Sequence, residues 1–485
     1  MLVNRDAPQS GSGEARSIPA HGGAGLVVVA NRLPVALTQL HGRPSWSASP
    51  GGLASALTPV LRGSAGVWVG WAGHPGKVDL PETYEGIELR AVPISAREYD
   101  DFYVGFANRT LWPLYHDAIR TPRFERRWWQ AYLTVNRRYA DTVAEVAARG
   151  ATVWVHDYHL QLVPMMLRAR RPDLRIGFFL HIPFPPQELF LQLPWRQEIL
   201  EGLLGADLVG FQVPGAAANF ARLARRLTSA SGTDAVLHHD GRVVRVGAFP
   251  ISIDTAELIK RANEPSVAQR ARQIRRELGD PEFVMLGVDR LDYTKGIQQR
   301  VRAVAELFAE GALSTPRHVM VQIATPSREE DTHYQEERER LEQLVGEING
   351  EQGRVGHPAI HYIHQNLPTD ELVALYLAAD LMLVTPLRDG MNLVAKEYAA
   401  CRVDATGALI LSEFAGAARE LRSAIMVNPH DLDGIKDAIK HALDLDPVEA
   451  RSRMRRLRRV VRRHDVHVWA HAFLNTLQHA QIDAP

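Results

Sequence analysis

A single cysteine, Cys401, stands among 485 residues, so the chain can form neither an internal disulfide nor a cysteine-built metal cluster. Such sparing use of cysteine fits a reducing compartment, and the cytoplasm is the expected location. Excess charge is missing too. Lys and Arg together number 56, as do Asp and Glu, and a formally neutral chain exerts no general attraction on nucleic acid or a membrane surface. No nucleic-acid or membrane partner is expected, and any anionic ligand must be held by locally clustered cations. That points to small-molecule substrates. No apolar run reaches the roughly eighteen residues a membrane helix needs. Residues 1–25, rich in Gly, Ser, Ala and Pro, lack the apolar stretch of a signal peptide and read as a disordered arm.

Several motifs are absent as well. No G-x-G-x-x-G follows a strand-like run, which disfavours a nicotinamide-dependent dehydrogenase, and no G-x-x-x-x-G-K-[ST] phosphate loop occurs. The histidines of His156-Asp157-Tyr158-His159 lack metal-type partner spacing. Asp431-Leu432-Asp433 has the form of a metal-holding D-x-D, but it precedes a helical run and reads as a helix N-cap. No metal or other cofactor is expected.

What is present is a series of short apolar runs. Single cores stop growing at about 250–300 residues, so two domains are expected. Leu26–Ala30, Val67–Val69, Thr152–Val155, Arg175–Leu180, Asp207–Gly210, Phe283–Val288, His318–Ala324, Leu381–Thr385 and Ala408–Ser412 are each separated by room for a helix. Strand and helix alternating in this way give parallel sheets covered on both faces, an α/β fold of two doubly wound Rossmann-like domains. The pattern breaks near Gly247–Asp254, so the domains are placed at 26–250 and 251–464. Near the C-terminus, eight arginines crowd residues 451–463, but Met454, Leu457 and Val461 repeat at helical spacing. The arginines then form a solvated helix face rather than a nucleic-acid patch. Trp469, Phe473 and Leu477 carry the spacing into a last helix, within 465–485, expected to pack back on the N-terminal domain.

Ligands of open parallel sheets bind beyond the carboxyl ends of the strands, so polar residues just after the apolar runs are the candidates. They are Asn31-Arg32, His156–His159, His181, Asp289-Arg290, Thr325–Arg328 and Arg388-Asp389. Two glycine turns open helices, Pro50-Gly51-Gly52-Leu53 and Gly390-Met391-Asn392-Leu393, a geometry that offers backbone N–H groups to an anion or sugar.

Taken together, VVVANRLP, SPGGLASAL, VGWAG, the run from Tyr103 through LWPLYH, VWVHDYHLQLVP, IGFFLHIPFPP, VDRLDYTKGI, TPSR and VTPLRDGMNLVAKEYAA resemble the trehalose-6-phosphate synthases, retaining glycosyltransferases of family 20. The likeness runs from Leu26 to about Leu477. It implies the GT-B architecture, two facing Rossmann-like domains with the active site in the cleft between them. It also implies transfer of glucose from a nucleoside-diphosphate glucose to glucose 6-phosphate with retention, giving α,α-trehalose 6-phosphate in trehalose biosynthesis.

By the same resemblance, Arg290 and Lys295 hold the donor diphosphate with the backbone of Leu393, Val394, Ala395 and Lys396. Glu397 binds the ribose hydroxyls, Asp389 the donor glucose, and Gly51 and Gly52 form the donor-side loop. Leu367 stands beside the nucleotide base, where an aromatic is expected, and this leaves the base open among uracil, adenine and guanine. Arg32 and Arg328 clamp the acceptor phosphate beside Tyr103, while Trp71, Trp112, Asp157, His181 and Ile182 line the acceptor sugar. Trp112 and Ile182 are implied to set the anomer, and Asp157, His181, Arg290, Lys295 and Asp389 form the catalytic group. Neither a metal nor a protein nucleophile is implied, the leaving phosphate oxygen taking the acceptor's proton. A homo-oligomer, with a tetramer among the forms open, and a separate downstream phosphatase complete the expectation. The rival readings are a synthase with another phosphorylated acceptor, such as glycerol 3-phosphate, and a catalytically silent regulatory homologue.

Overall fold

The computed structural model describes residues 23–40, 43–49, 52–62, 66–76, 79–328 and 331–480. Gly51 and nearly all of the arm assigned to 1–25 lie outside them. Every apolar run picked out above is a strand, because helices cover both faces of each sheet and an uninterrupted apolar stretch is then buried from both sides. The first sheet has ten strands, in the order Thr83–Tyr84, Ile87–Ala91, Val67–Trp71, Ala24–Arg32, Ala147–His156, Arg175–Phe179, Leu208–Phe211, Arg242–Ala248, Val236–His239, Ser231–Gly232. Its inner pairs are parallel and its two edges antiparallel. The second sheet has six parallel strands, in the order Ile360–Ile363, His318–Thr325, Phe283–Arg290, Leu381–Val384, Ala408–Ser412, Ile425–Val427.

Both sheets reverse their winding once. In the first the reversal falls between Ala24–Arg32 and Ala147–His156, and in the second between Phe283–Arg290 and Leu381–Val384. A crevice opens beyond the strand ends at such a switch point. The first strand starts at Ala24, two residues before the apolar run, since Gly23 and Ala24 are small enough to lie against the Ala147-Ala148 backbone. Near its other end the register passes from Val29↔Val69 to Arg32↔Trp71, with one extra residue in the first strand. Such a bulge re-aims the side chain that follows it, here Arg32.

The arginine-rich segment is the helix Pro447–Arg463, its Met454, Leu457 and Val461 buried. Asp431 caps the helix Leu432–Leu443, accepting from the Gly434 N–H at 2.9 Å. The last helix, Val466–Gln478, starts on the second domain and lies on the first sheet. Phe473 stacks on Trp154 with ring centroids 4.8 Å apart, and Trp469 lies 5.0 Å from the same ring. Room for Phe473 comes from two glycines in the strands beneath. A Cβ on Gly177 would sit 2.8 Å from its ring, and one on Gly210 would sit 2.6 Å from it. One apolar cluster therefore runs from Val28 and Trp154 in the first domain through Trp469 and Phe473 to Leu286 and Tyr398 in the second.

Phe473→Ala should destabilise the protein by about 3–5 kcal/mol, the usual loss for a buried aromatic. It would be read as a lower urea midpoint, and Gly210→Val should lower that midpoint too by driving the helix off the sheet. Unchanged midpoints in both variants would remove the helix from its role as a tie between domains.

Candidate active site

On the second domain the site is built from two loops at the switch point. The strand Phe283–Arg290 ends in Arg290, and Asp292 then caps a short turn, its Oδ1 accepting from the Thr294 N–H at 3.0 Å. The turn presents Lys295, whose Nζ meets Asp389 Oδ2 at 2.6 Å; the two side chains are only 11% and 14% exposed. Asp389 follows the strand Leu381–Val384, and its Oδ2 also accepts from Asn392 Nδ2 at 3.2 Å. Burial pushes its pKa up, but Lys295 and the other groups around it outweigh that and hold it below the ordinary value. Asn392, at φ 78°, caps the helix Leu393–Cys401.

The remaining donor-side candidates are placed by this helix and its surroundings. Asn392 Oδ1 accepts from the Ala395 N–H at 3.1 Å, so that amide is engaged by the cap. Lys396 turns its side chain away from the crevice, its Nζ donating to Ile251 O at 2.8 Å and Glu420 Oε2 at 2.7 Å. The Lys396 side chain ties the domain connection, and only its backbone lies on the donor-side turn. Glu397 accepts from the Tyr376 hydroxyl at 2.9 Å, and burial raises its pKa. Leu393 and Val394 pack partly buried against the shared cluster, as does Leu367. Gly52 opens the helix Gly52–Leu61 and faces Leu393, whose Cδ1 a Cβ there would approach to 3.0 Å.

The first domain supplies the opposing wall. The Arg32 guanidinium lies 4.9 Å over the Trp71 ring, and Trp71 is 5.3 Å from Tyr99 and 6.5 Å from Tyr103. Tyr103 stacks on His159 at 5.7 Å. Trp112, 4% exposed, meets the two cations of the other domain, Arg328 at 4.1 Å and Arg290 at 5.4 Å. Arg328 also donates to Asp292 Oδ2 at 3.1 Å, to the Tyr158 hydroxyl at 3.3 Å, and to the Tyr334 hydroxyl. Burial works to protonate Asp292, but Arg328, Arg290 and Lys295 win and leave its pKa at about 2.

Between these walls, Asp157 adopts φ 73° and ψ 168°, a conformation ordinarily left to glycine. Its N–H donates to Phe179 O at 2.8 Å and its Oδ1 accepts from the His181 N–H at 3.2 Å. Burial raises its pKa to about 6 against the Tyr158, His181 and Ile182 N–H groups and Arg290. The His181 ring shares a hydrogen bond with His156, Nε2 to Nδ1 at 3.0 Å, and burial lowers its pKa to about 3, so it is neutral at physiological pH. Ile182 is 8% exposed. The backbone of His181 and Ile182 abuts Gly390 of the second domain, where a Cβ would lie 2.2 Å from His181 O. Nothing larger than glycine fits.

The structure thus brings Asp157, His181, Ile182, Trp112, Arg290, Lys295, Arg328, Asp389 and Tyr103 to one interdomain seam, with Arg32 and Trp71 at one side and Glu397 at the other. Sequence reasoning singled out Tyr158 only as a strand-end candidate and gave no role to Asp292, Tyr334 or Asn108; together they form a hydrogen-bonded network with Arg328. Asp292 and Tyr158 lie inside the quoted motifs and Asn108 inside the run from Tyr103 through His116, whereas Tyr334 lies in none of them. Among the described residues no three or more His, Cys, Asp or Glu side chains converge as a metal-holding group. Among the described residues no helix is long and apolar enough to cross a membrane.

The raised pKa of Asp157 has a kinetic consequence. As pH falls through about 6 the carboxylate takes up a proton and ceases to be a pure acceptor, so turnover should fall on the acid side with a midpoint near 6. Asp157→Asn should abolish that limb. Its persistence in the variant would assign it elsewhere, for instance to Asp289, whose pKa burial also raises to about 6 beside Arg300.

Comparison with known proteins shows the family to which the chain belongs. The family model for glycosyltransferase family 20 matches residues 24–479. The trehalose-6-phosphate synthase of Mycobacterium sp. strain KMS is 58% identical over 466 residues, covering 94% of this chain and 95% of that one. That of Mycolicibacterium smegmatis is 57% identical, covering 94% and 93%. Among solved structures, the E. coli protein bound with UDP-2-fluoro glucose superposes with a TM-score of 0.85 at 35% identity, covering 94% of this chain and 99% of its own. The UDP-forming α,α-trehalose-phosphate synthase of Burkholderia xenovorans in complex with glucose-6-phosphate gives 0.86 at 34%, covering 93% and 99%. With the match spanning both sheets and the crevice between them, the chain belongs to glycosyltransferase family 20.

Proposed function

We propose that this protein is a trehalose-6-phosphate synthase, transferring glucose from a nucleoside-diphosphate glucose to glucose 6-phosphate with retention. The observation that carries the reading is a pair of cation groups meeting at one seam. Arg290 and Lys295 stand at the switch point of the second domain, while Arg328, with Arg32 across the seam, stands over the aromatic wall of the first. One group suits a diphosphate and the other a phosphate monoester. UDP-glucose is the first choice of donor because the similar solved proteins are described as UDP-forming, with ADP- and GDP-glucose as alternatives.

Departure of the nucleoside diphosphate builds negative charge that Arg290 and Lys295 stabilise without a metal. Each charge-assisted hydrogen bond is worth about 1.5–3 kcal/mol, or about ten- to a hundredfold in rate where it acts in the transition state. Asp389 is neutralised by Lys295 and hydrogen-bonded by Asn392, which suits it to hold donor hydroxyls. Asp157 is engaged by backbone N–H groups. Neither is a free nucleophile of the kind double displacement requires. Reaction on one face follows, the leaving phosphate oxygen accepting the acceptor's proton. The product then needs a separate phosphatase, and assembly as a homo-oligomer in the cytoplasm belongs to the same reading.

Initial rates with UDP-, ADP- and GDP-glucose, each against glucose 6-phosphate and glycerol 3-phosphate, test it. Glucose 6-phosphate should be the acceptor used, and UDP-glucose the fastest donor; use of glycerol 3-phosphate alone, or of neither acceptor, would sink the proposal. Arg290→Ala should lower turnover at least tenfold with little change in the KM for glucose 6-phosphate. Arg328→Ala should chiefly raise that KM, and an unaltered KM would take Arg328 out of the acceptor site.

A further inference from the structure

The segment Tyr99–Leu111 is a helix closed by hydrogen bonds five residues apart, and the bond from the Trp112 N–H to Ala107 O continues the pattern. Such wide helices are rare, usually last a single turn, and gather at functional sites. This one lasts 13 residues. Its consequence is geometric. In an α-helix, Asn108 would fall about 140° round from Tyr103. In the wider coil, residues four to five apart share a face, and Tyr99, Tyr103, Val104 and Asn108 together line one narrow cavity at the domain seam, opposite Arg328 and Asp331.

Asn108 is 5% exposed, and its amide is oriented by its neighbours. Arg328 Nη2 donates to the Tyr158 hydroxyl oxygen at 3.3 Å, and that hydroxyl gives its proton to Asn108 Oδ1 at 2.9 Å. The direction of this chain fixes which end of the carboxamide is oxygen. It leaves Asn108 Nδ2, a buried donor, with no acceptor among the described residues, and Arg328 Nε is in the same condition. Unsatisfied buried donors are uncommon and costly. Two of them on residues lining one cavity, the Asn108 amide and the Arg328 guanidinium itself, form a receptor for an oxyanion. Asp331, the carboxylate in that wall, is bound to Arg109 at 3.1 Å and to the His333 N–H at 3.0 Å.

We infer that Asn108 is a further specificity-determining residue of the acceptor site, its Nδ2 donating to the acceptor's phosphate alongside Arg328. The inference rests on the reading of the acceptor as glucose 6-phosphate. Tyr158 and Asn108 belong to one domain and Arg328 to the other, so the phosphate is read jointly across the seam, which must open to admit it. The wide helix exists to bring Asn108 onto the face that Tyr103 already occupies.

The test uses Asn108→Asp, which keeps an oxygen for the Tyr158 hydroxyl and replaces the donor by negative charge, and Asn108→Ala. Three quantities are measured: the KM for glucose 6-phosphate, the inhibition constant of inorganic phosphate against it, and the KM for the donor. The first two should rise together at least tenfold, more in Asn108→Asp than in Asn108→Ala, while the donor KM stays within twofold. Unchanged values, or a donor KM that rises in step, would overturn the inference. Should either variant fail to fold, Asn108→Leu, close to isosteric and without a donor, decides by the same constants: a joint rise sustains the inference and no change overturns it. A wild-type chain that transfers nothing to glucose 6-phosphate fails the functional reading instead, whereas an active wild type matched by its Asn108 variants fails this inference alone.

Discussion

Between two loops of the second sheet, Lys295 Nζ and Asp389 Oδ2 approach to 2.6 Å, and the rest of the site is arranged around that contact. The lysine is presented by a turn that Asp292 caps, and the aspartate is held from behind by a bridge to Ala415. Burying either charge alone would cost far more than burying the pair. The two loops therefore take up their positions together. Next to Asp389, Gly390 lies against the His181 and Ile182 backbone of the other domain, so the ion pair also sets how closely the domains approach.

The seam is closed by several independent contacts rather than by one large apolar face. Arg109 meets Asp331 at 3.1 Å, Arg120 meets Glu337 at 3.3 Å, and Arg388 meets Asp117 at 3.3 Å. Of these, only Arg388–Asp117 is substantially exposed on both sides and so contributes little, whereas Asp331 and Glu337 are buried. The terminal helix is different. Its Trp469 and Phe473 bury against Trp154 and Phe179, which supplies a permanent tie away from the crevice. The terminal helix thus ties the domains through apolar packing on one side, and the crevice side is joined by polar contacts.

Much of this fold was legible because its strands are buried on both faces: an uninterrupted apolar run such as Phe283–Val288 can only be a buried element, and its polar successor must stand at the strand end. Arg32, Asp157, Arg290 and Asp389 were found in that way. Short, half-exposed strands at or beside a sheet edge, such as Ile360–Ile363 and Ile87–Ala91, carry no such signal. The wide helix at Tyr99–Leu111 was invisible because no periodicity in the sequence marks it, and Asn108, although inside the run from Tyr103 through His116, was given no role. Lys396 shows the opposite case. The motif places its backbone in the helix Leu393–Cys401, but the direction of its side chain depends on Ile251 and Glu420, distant in the chain.

The proposed transfer on one face, with retention, is read from the configuration of the product. The most direct test is the proton NMR spectrum of the product formed from UDP-glucose and glucose 6-phosphate. The account predicts both anomeric protons in the α configuration, with the small coupling that an equatorial proton shows. A β linkage at the carbon delivered by the donor, or release of free glucose in place of the disaccharide phosphate, would contradict it.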